Sequence, residues 1–342
     1  MSATIARRPI VPTISDVARR AGVSTATVSR CLNTPDRVQP ATRKSVQSAI
    51  EALGYTPNFG ARALTAGRTG TVAAIIPTME NAIFARGLQA FQETLNEAGR
   101  TLLVATSQYR ADLEAQQIRT LISRGVDGLL LIGYARAPEL YEMLDRRGIA
   151  VLSAWVHDAS QPRPAVGFDN VTAMAAMAKE VIARGHRRIA MISGYSAAND
   201  RASGRIEGVR QALREAGRPD DLRVIETDYS IEAGETAAGQ LLDTTDRPTA
   251  IMCGNDVLAL GALREARRRG LSVPDNLSVT GFDDIEVAQL ADPALATVHV
   301  PHRRMGHEAA RIILAAIDGS KPVESVALDA AVVIRDSLGI SP

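Results

Sequence analysis

Two sets of residues in this chain have types and spacings that can do chemistry. The first is Thr25, Ala26, Ser29 and Arg30, which place short polar or methyl groups and one guanidinium on a single helical face. Such a face can enter a major groove and contact base edges, Arg30 being suited to bidentate pairing with guanine. The second set is scattered: Trp155, Ser193, Tyr229, Asn255, Asp256 and Asp283 each stand at the carboxyl end of a run that reads as a strand. In an open α/β sheet, ligands bind beyond those ends. Aromatic faces beside amide and carboxylate groups suit a polyhydroxylated ligand, whose ring face stacks while its hydroxyls are hydrogen-bonded.

The first set needs a scaffold that presents one helix. Thr13 to Asn33, TISDVARRAGVSTATVSRCLN, supplies two short helices and a tight turn. Thr13 with Asp16 forms a capping-box pattern, and Ile14, Val17, Ala18 and Ala21 make the buried side of the first helix. Gly22 breaks the run, Ser24 caps the second helix, and Val28, Cys31 and Leu32 face the first. A third helix starts at Pro40, carries Val46, Ala49, Ile50 and Leu53 at helical spacing, and stops at Gly54. The local pattern fits a helix-turn-helix and an ordinary helical hairpin equally well.

Charge separates those two readings. The chain of 342 residues carries a net +1, but residues 1–70 hold ten Arg or Lys against Asp16, Asp36 and Glu51. That is +7 for the head and −6 for the remainder. A basic head on an acidic body is expected where only the head meets polyphosphate, since cations that neutralise phosphates release condensed counterions. Residues 1–12 read as a flexible arm, 13–57 as the helix-turn-helix domain, and 58–70 as a hinge helix and linker capped by Asn58. A helix that short is marginal in water without a partner.

From Thr71 the pattern changes to alternating strands and helices, with short, nearly continuous apolar runs as in parallel strands covered on both faces. Runs at 71–77, 101–106, 126–132 and 149–155 form a first series. Those at 165–169, 187–193, 223–229, 250–256 and 277–283 form a second. The expected fold is a small all-α headpiece plus an α/β core, 71–342, of two doubly wound parallel-sheet lobes. Lobe one spans about 71–160 and lobe two about 161–290, and a C-terminal segment, 291–342, crosses back between them.

The only cysteines, Cys31 and Cys253, have no metal-ligand spacing and read as small buried hydrophobes. No metal or cofactor is expected. Arg7 and Arg8 precede no apolar run, so neither a secretory signal nor a membrane span is expected, and the expected location is cytoplasmic. An α/β enzyme acting on a sugar-like metabolite, with an N-terminal DNA-binding module, is the competing reading. The chain has no Walker lysine loop and no G-x-G-x-x-G, and SGYSAA at 193–198 lacks the second glycine of a nucleophile elbow. His186 reads as closing a helix.

ISDVARRAGVSTATVSRCLN, VQPATRKSV, LGYTPN and ARALTAGRTGTVAAIIP, followed by FDN at 168–170, RGHRRIAMISG, GRIEG, CGND, GLSVPDNLSVTGFDD and MGHEAA, resemble the lac repressor (LacI/GalR) family of bacterial transcription regulators. The resemblance runs through nearly the whole chain in order. It implies a headpiece, a hinge helix and a core like the periplasmic sugar-binding proteins, acting as a homodimer or a dimer of dimers on a palindromic DNA operator. Its implied base-reading positions are Thr25, Ala26 and Arg30. Thr13, Ser24, Thr27, Ser29, Asn33 and Tyr55 fall where phosphates are contacted or those contacts are supported. Asn58 joins the DNA-binding set, and Leu64 matches the hinge leucine that wedges into the minor groove. Ala63 stands where many members have serine.

For the small-molecule effector, the resemblance adds Ile83, Phe84, Asn199, Arg201 and Arg205 to Trp155, Tyr229, Asn255 and Asp283. Arg205 is the foremost candidate for a ligand carboxylate or ring hydroxyls. Ala154 departs from the aspartate of several sugar-responsive members. VGFDN and IARGHRRI resemble the gluconate-responsive branch, which implies a sugar or sugar acid as effector, while Asp169 within that motif reads as structural.

Overall fold

The computed structural model describes residues 12–56, 68–80, 82–218, 222–319 and 324–342. It falls into two compact units, Met1–Thr69 and Gly70–Pro342. The arm through residue 11 and the segment holding Asn58, Ala63 and Leu64 lie outside the described residues.

Among its described residues the first unit has three α-helices: α1 (Ile14–Ala21), α2 (Thr25–Asn33) and α3 (Pro40–Leu53). The capping box at the start of α1 is complete. Asp16 accepts from the Thr13 backbone N–H at 2.9 Å, and Thr13 Oγ1 accepts from the Asp16 N–H at 3.4 Å. Gly22 ends α1 with φ 67°, a left-handed turn that costs glycine little. Ser24 Oγ then caps α2 by accepting from the Thr27 N–H at 3.1 Å. Val17, Ala18, Val28, Cys31, Val46, Ala49 and Tyr55 close the small core. A single 3-10 turn, Pro35–Arg37, shapes the loop before α3.

The second unit opens with β1 (Thr71–Ile76), α4 (Ala82–Glu97), β2 (Thr101–Thr106), α5 (Ala111–Ser123), β3 (Gly128–Ile132), α6 (Pro138–Arg146), β4 (Ala150–Ala154) and β5 (Ala165–Gly167). The chain then crosses to a second lobe. There α7 (Asn170–Ala183), β6 (Ile189–Gly194), α8 (Asp200–Glu215), β7 (Arg223–Thr227), α9 (Ile231–Leu242), β8 (Ala250–Cys253), α10 (Asp256–Arg268), β9 (Ser278–Thr280) and α11 (Glu286–Leu290) follow in turn. After β10 (Thr297–His299) it returns through α12 (His302–Asp318) and β11 (Val326–Ala327), then crosses once more to β12 (Ala331–Val333). The two main sheets are parallel throughout, in the orders β11-β5-β4-β3-β1-β2 and β7-β6-β8-β9. β10 and β12 form an antiparallel pair.

Three expectations need correction. The 165–169 segment does not open the second lobe: Ala165 and Val166 register with Ser153 and Ala154, so β5 extends the first sheet. This pairing covers the outer edge of β4, whose backbone groups would otherwise lack ladder partners. The first lobe therefore runs to about residue 168 and includes α12 and β11. β2 is an edge strand rather than a doubly covered one, and Leu103 and Val104 are each 36% exposed. His186 does not close a helix. Its buried ring bridges Thr249 Oγ1 at 3.0 Å and the Gly339 carbonyl at 3.2 Å, tying the C-terminal segment to the second lobe.

Close helix packing sets the position of the site. α4 and α12 approach through Gly87 and Gly306, where a Cβ on Gly306 would collide with the Gly87 carbonyl. A Cβ on Gly87 would come within 2.7 Å of the Trp155 ring. Gly306→Ala should therefore force the two helices apart and lower core stability by about 1–3 kcal/mol, the usual cost of overpacking. Chemical denaturation of the full chain measures this, and a wild-type midpoint would refute the close approach.

Candidate functional site

On the headpiece, Thr13, Ser24, Thr25, Ala26 and Arg30 are exposed, and Thr27 and Ser29 are partly so. Ser24, Thr25 and Ala26 are thus three successive exposed residues at the start of α2. Tyr55 is different: only 9% of it is exposed and its ring belongs to the headpiece core. The side chain of Asn33 lies outside what the structure describes.

In the second unit, the structure gathers all nine residues named for the small-molecule site around one cavity of about 310 Å³, its mouth included. Ile83 and Phe84 come from the first turn of α4 after β1, and Trp155 from the end of β4. Asn199, Arg201 and Arg205 lie at the start of α8 after β6, and Tyr229, Asn255 and Asp283 follow β7, β8 and β9. The parallel order places every contributing strand end on the same side of its sheet. Phe84 and Trp155 make one aromatic wall, with ring centroids 5.3 Å apart. Trp155 holds φ 62°, unusual for a bulky residue, and its carbonyl accepts from Asn170 Nδ2 at 3.1 Å across the crossover.

Arg205 is the buried centre of the site, 4% exposed. Its Nε donates to Asn170 Oδ1 at 3.0 Å and one terminal nitrogen to the Gly254 carbonyl at 2.6 Å. The guanidinium lies 3.8 Å over the Phe282 ring, and its other terminal nitrogen is 3.6 Å from Asp283. Asp283 makes only that loose contact: both carboxylate oxygens are buried with no hydrogen-bond donor, and the amide nitrogen of Asn255 is likewise unpartnered. Asn255 uses its oxygen to cap α10, accepting from Leu258 N–H at 2.9 Å, which turns the nitrogen toward the cavity. Buried polar atoms without partners are costly, so their convergence on one cavity marks a place for hydroxyls and charged oxygens.

Asp256 and Ser193, also at strand ends, have other surroundings. Asp256 is turned away from the cavity and accepts from Ile285 N–H at 2.8 Å and Thr297 Oγ1 at 2.6 Å, bracing the strand-to-helix corner. Ser193 is buried beneath Gly254 without lining the cavity. Asp169 is the N-cap of α7, accepting from the Val171 and Thr172 N–H groups, which is a structural task. Cys31 and Cys253 are buried and unbridged, and no group of metal-ligating residues is found among the described residues.

Residues 13–58 match the model for bacterial regulatory proteins of the lacI family, and residues 178–338 match a periplasmic binding protein-like domain. The chain is 36% identical over 332 residues to the transcriptional regulator DegA of Bacillus subtilis, spanning 95% of this chain and 97% of that protein. It is 34% identical over 333 residues to the transcriptional repressor CytR of Escherichia coli, spanning 96% and 97%. The chain belongs to the lacI family. Its structure also superposes on the lac repressor dimer bound to operator and the anti-inducer ONPF, with a TM-score of 0.84, 25% identity and coverage of 96% and 99%. This lacI-family chain is a DNA-binding transcriptional regulator, and no helix among its described residues is long and apolar enough to cross a membrane.

One wall of the cavity in this lacI-family core was not singled out from the sequence. Tyr109 lines it with the other nine, its ring 5.3 Å from that of Tyr229 in the opposite lobe. The strand-end rule that found Trp155 and Tyr229 applies equally to β2, but Tyr109 stands three residues past that strand and reaches the cavity only through an unusual turn.

Burial lifts the Asp283 carboxyl from its ordinary 3.8 to about 7, against the pull of Arg205 and Arg201. A folded state that holds a proton the unfolded chain has lost becomes less stable as pH rises through that interval. His302, whose Nε2 lies 3.2 Å from the Asp283 carbonyl, acts in the opposite sense. Burial lowers it from 6.5 to about 4, so its contribution is lost as pH falls between those values. Asp283→Asn removes only the first effect. Its melting temperature should rise relative to wild type as pH increases from 3.8 to about 7, and a difference independent of pH would mean that the carboxyl stays ionised beside Arg205.

Proposed function

We propose that this regulator is a repressor whose affinity for a palindromic operator is set by a sugar acid bound between the two lobes of its core. The observation that carries this reading is the pairing, in one aromatic-walled cavity, of Arg205 and Arg201 with the unpartnered Asp283 carboxylate and Asn255 amide. A ligand carboxylate would take the guanidinium groups, while its hydroxyls would donate to Asp283 and accept from Asn255. Phe84 and Trp155 would cover the carbon skeleton.

The headpiece would dock α2 in the major groove as a homodimer, one headpiece per half-site. Thr25, Ala26 and Arg30 would read base edges, and Thr13, Ser24, Thr27 and Ser29 would fix the register on phosphates, with Asn33, Asn58 and Leu64 completing the interface. Effector binding would act on the equilibrium between core conformations through its differential affinity for them, and the hinge would carry the result to the headpieces.

Two experiments test the halves of this reading. Arg30→Ala should weaken binding to an operator selected from random DNA by about 1–3 kcal/mol, about 5- to 150-fold, and relax the base preference at one position in each half-site. Wild-type affinity and selectivity in that variant would remove Arg30 from base reading. For the core, gluconate at a hundredfold excess over its Kd should add about 2.7 kcal/mol to the stability of the wild type. Arg205→Gln should show no such shift while still binding operator; a full shift would take Arg205 out of the ligand site.

A further inference from the structure

Tyr109 stands between the cavity described above and a neighbouring space, and we infer that its side chain sets the length of ligand that the cleft accepts. The second space, about 380 Å³ with its mouth, shares Tyr109 and Arg201 with the first. Beyond that partition its lining includes the polar Ser107, Arg110 and Glu114 beside apolar residues such as Pro77 and Ile132. The two spaces are therefore halves of one cleft, divided by a phenol ring and a guanidinium.

The partition is built, not incidental. Gln108 and Tyr109 have φ values of 52° and 58°, two successive non-glycine residues in the left-handed region. The turn is held by Ser107 N–H donating to the Ile76 carbonyl at 2.9 Å, Gln108 N–H to Pro77 at 2.8 Å and Arg110 N–H to Ser107 at 2.9 Å. An extended conformation at these positions would carry the ring away from the cleft; this one points it at Tyr229 on the other lobe. Arg201 is fixed as well, donating to the Ile132 carbonyl at 3.2 Å and pairing with Asp200 at 2.9 Å. The carboxylate of Asp200 in turn accepts from the Tyr134 N–H of the first lobe.

The far space has a polar side. Ser107 is buried, Glu114 pairs with Arg136 at 2.9 Å, and Arg110 pairs with Asp112 at 2.5 Å. Such a lining suits a second hydroxyl-bearing unit rather than an apolar tail. With the ring of Tyr109 present, the cleft takes a single-unit acid; with it removed, the two spaces join and a two-unit acid fits, its second unit beside Ser107 and Glu114. This rests on the sugar-acid reading for the nature of the ligand, but the partition itself does not.

The test uses the full chain and its Tyr109→Phe and Tyr109→Ala variants, titrated by calorimetry with gluconate and with lactobionate, which is gluconate carrying one further sugar. Lactobionate should bind Tyr109→Ala about tenfold or more tighter than wild type, while Tyr109→Phe, which keeps the ring, excludes it. Equal binding of lactobionate to wild type and Tyr109→Ala overturns the assignment, as does gluconate binding to Tyr109→Ala without any gain for lactobionate. If neither compound binds Tyr109→Ala, acrylamide quenching of Trp155, the sole tryptophan, decides the partition. A larger quenching constant in Tyr109→Ala than in Tyr109→Phe supports the wall, and equal constants overturn it. Failure of gluconate to bind the wild type counts separately against the sugar-acid reading. Should Tyr109→Ala show no native melting transition, Tyr109→Asn, which tolerates the left-handed backbone, is read in the same way.

Discussion

A buried guanidinium must be compensated wherever a chain encloses one, and Arg205 imposes that requirement on the whole core. Its partners come from three separate parts of the chain: Asn170 at the first crossover, the Gly254 carbonyl after β8, and Phe282 with Asp283 after β9. Asn170 passes the constraint on, since its amide nitrogen donates to the Trp155 carbonyl in the other lobe. Asp283 does the same through its own carbonyl, which faces His302 at the second crossing of the chain. The charge is thus neutralised only in part by the protein, and the remainder of its coordination is directed at the cavity.

That arrangement depends on backbone close to backbone. Gly194 lies where a Cβ would enter the Tyr229 ring, and Gly87 lies under Trp155. Both aromatic walls therefore rest on positions without side chains, which lets the rings sink toward the strand ends. The same economy brings α4 against α12 and α7 against α8, where Gly306 and Gly208 meet main-chain atoms of the facing helix. Packing at this density leaves few ways for a wall of the cavity to move on its own. Contacts that cross the cleft, such as Tyr109 with Tyr229, Arg86 with Glu286 at 2.7 Å and Asp200 with the Tyr134 N–H, are where a change at the site would be felt by both lobes.

The headpiece is organised by different forces. Among the described residues it has a core of seven buried hydrophobic residues and relies on local devices, namely the capping box at Thr13, the left-handed stop at Gly22 and the Ser24 cap, to fix the angle between α1 and α2. These are interactions between residues three or four apart, so they form wherever the sequence carries them. The excess of positive charge in the first 70 residues is a property of composition and needs no particular fold to attract a polyanion.

For that reason the headpiece was the most legible part of the chain: caps, stops and apolar spacing are short-range signals, and each helix boundary follows from them. The alternation of apolar runs with glycine-stopped helices likewise determined the α/β class, and the strand-end rule together with family resemblance pointed to nine residues that line one cavity. Tertiary structure alone decided which sheet each strand joined. Ala165–Gly167 reads like any other buried strand, and its place beside β4 reflects the unpaired edge it covers, which no local pattern encodes. It also decided that Asp256 braces a corner while Asp283, of the same residue type, faces the cavity, because hydrogen-bond donors from Ile285 and Thr297 reach only the first. Tyr109 entered the site through a left-handed turn held by main-chain bonds from Ser107 to Ile76 and from Gln108 to Pro77, distant in the chain. Local sequence carries periodicity and capping; partners distant in the chain determine where a polar or aromatic side chain finally points.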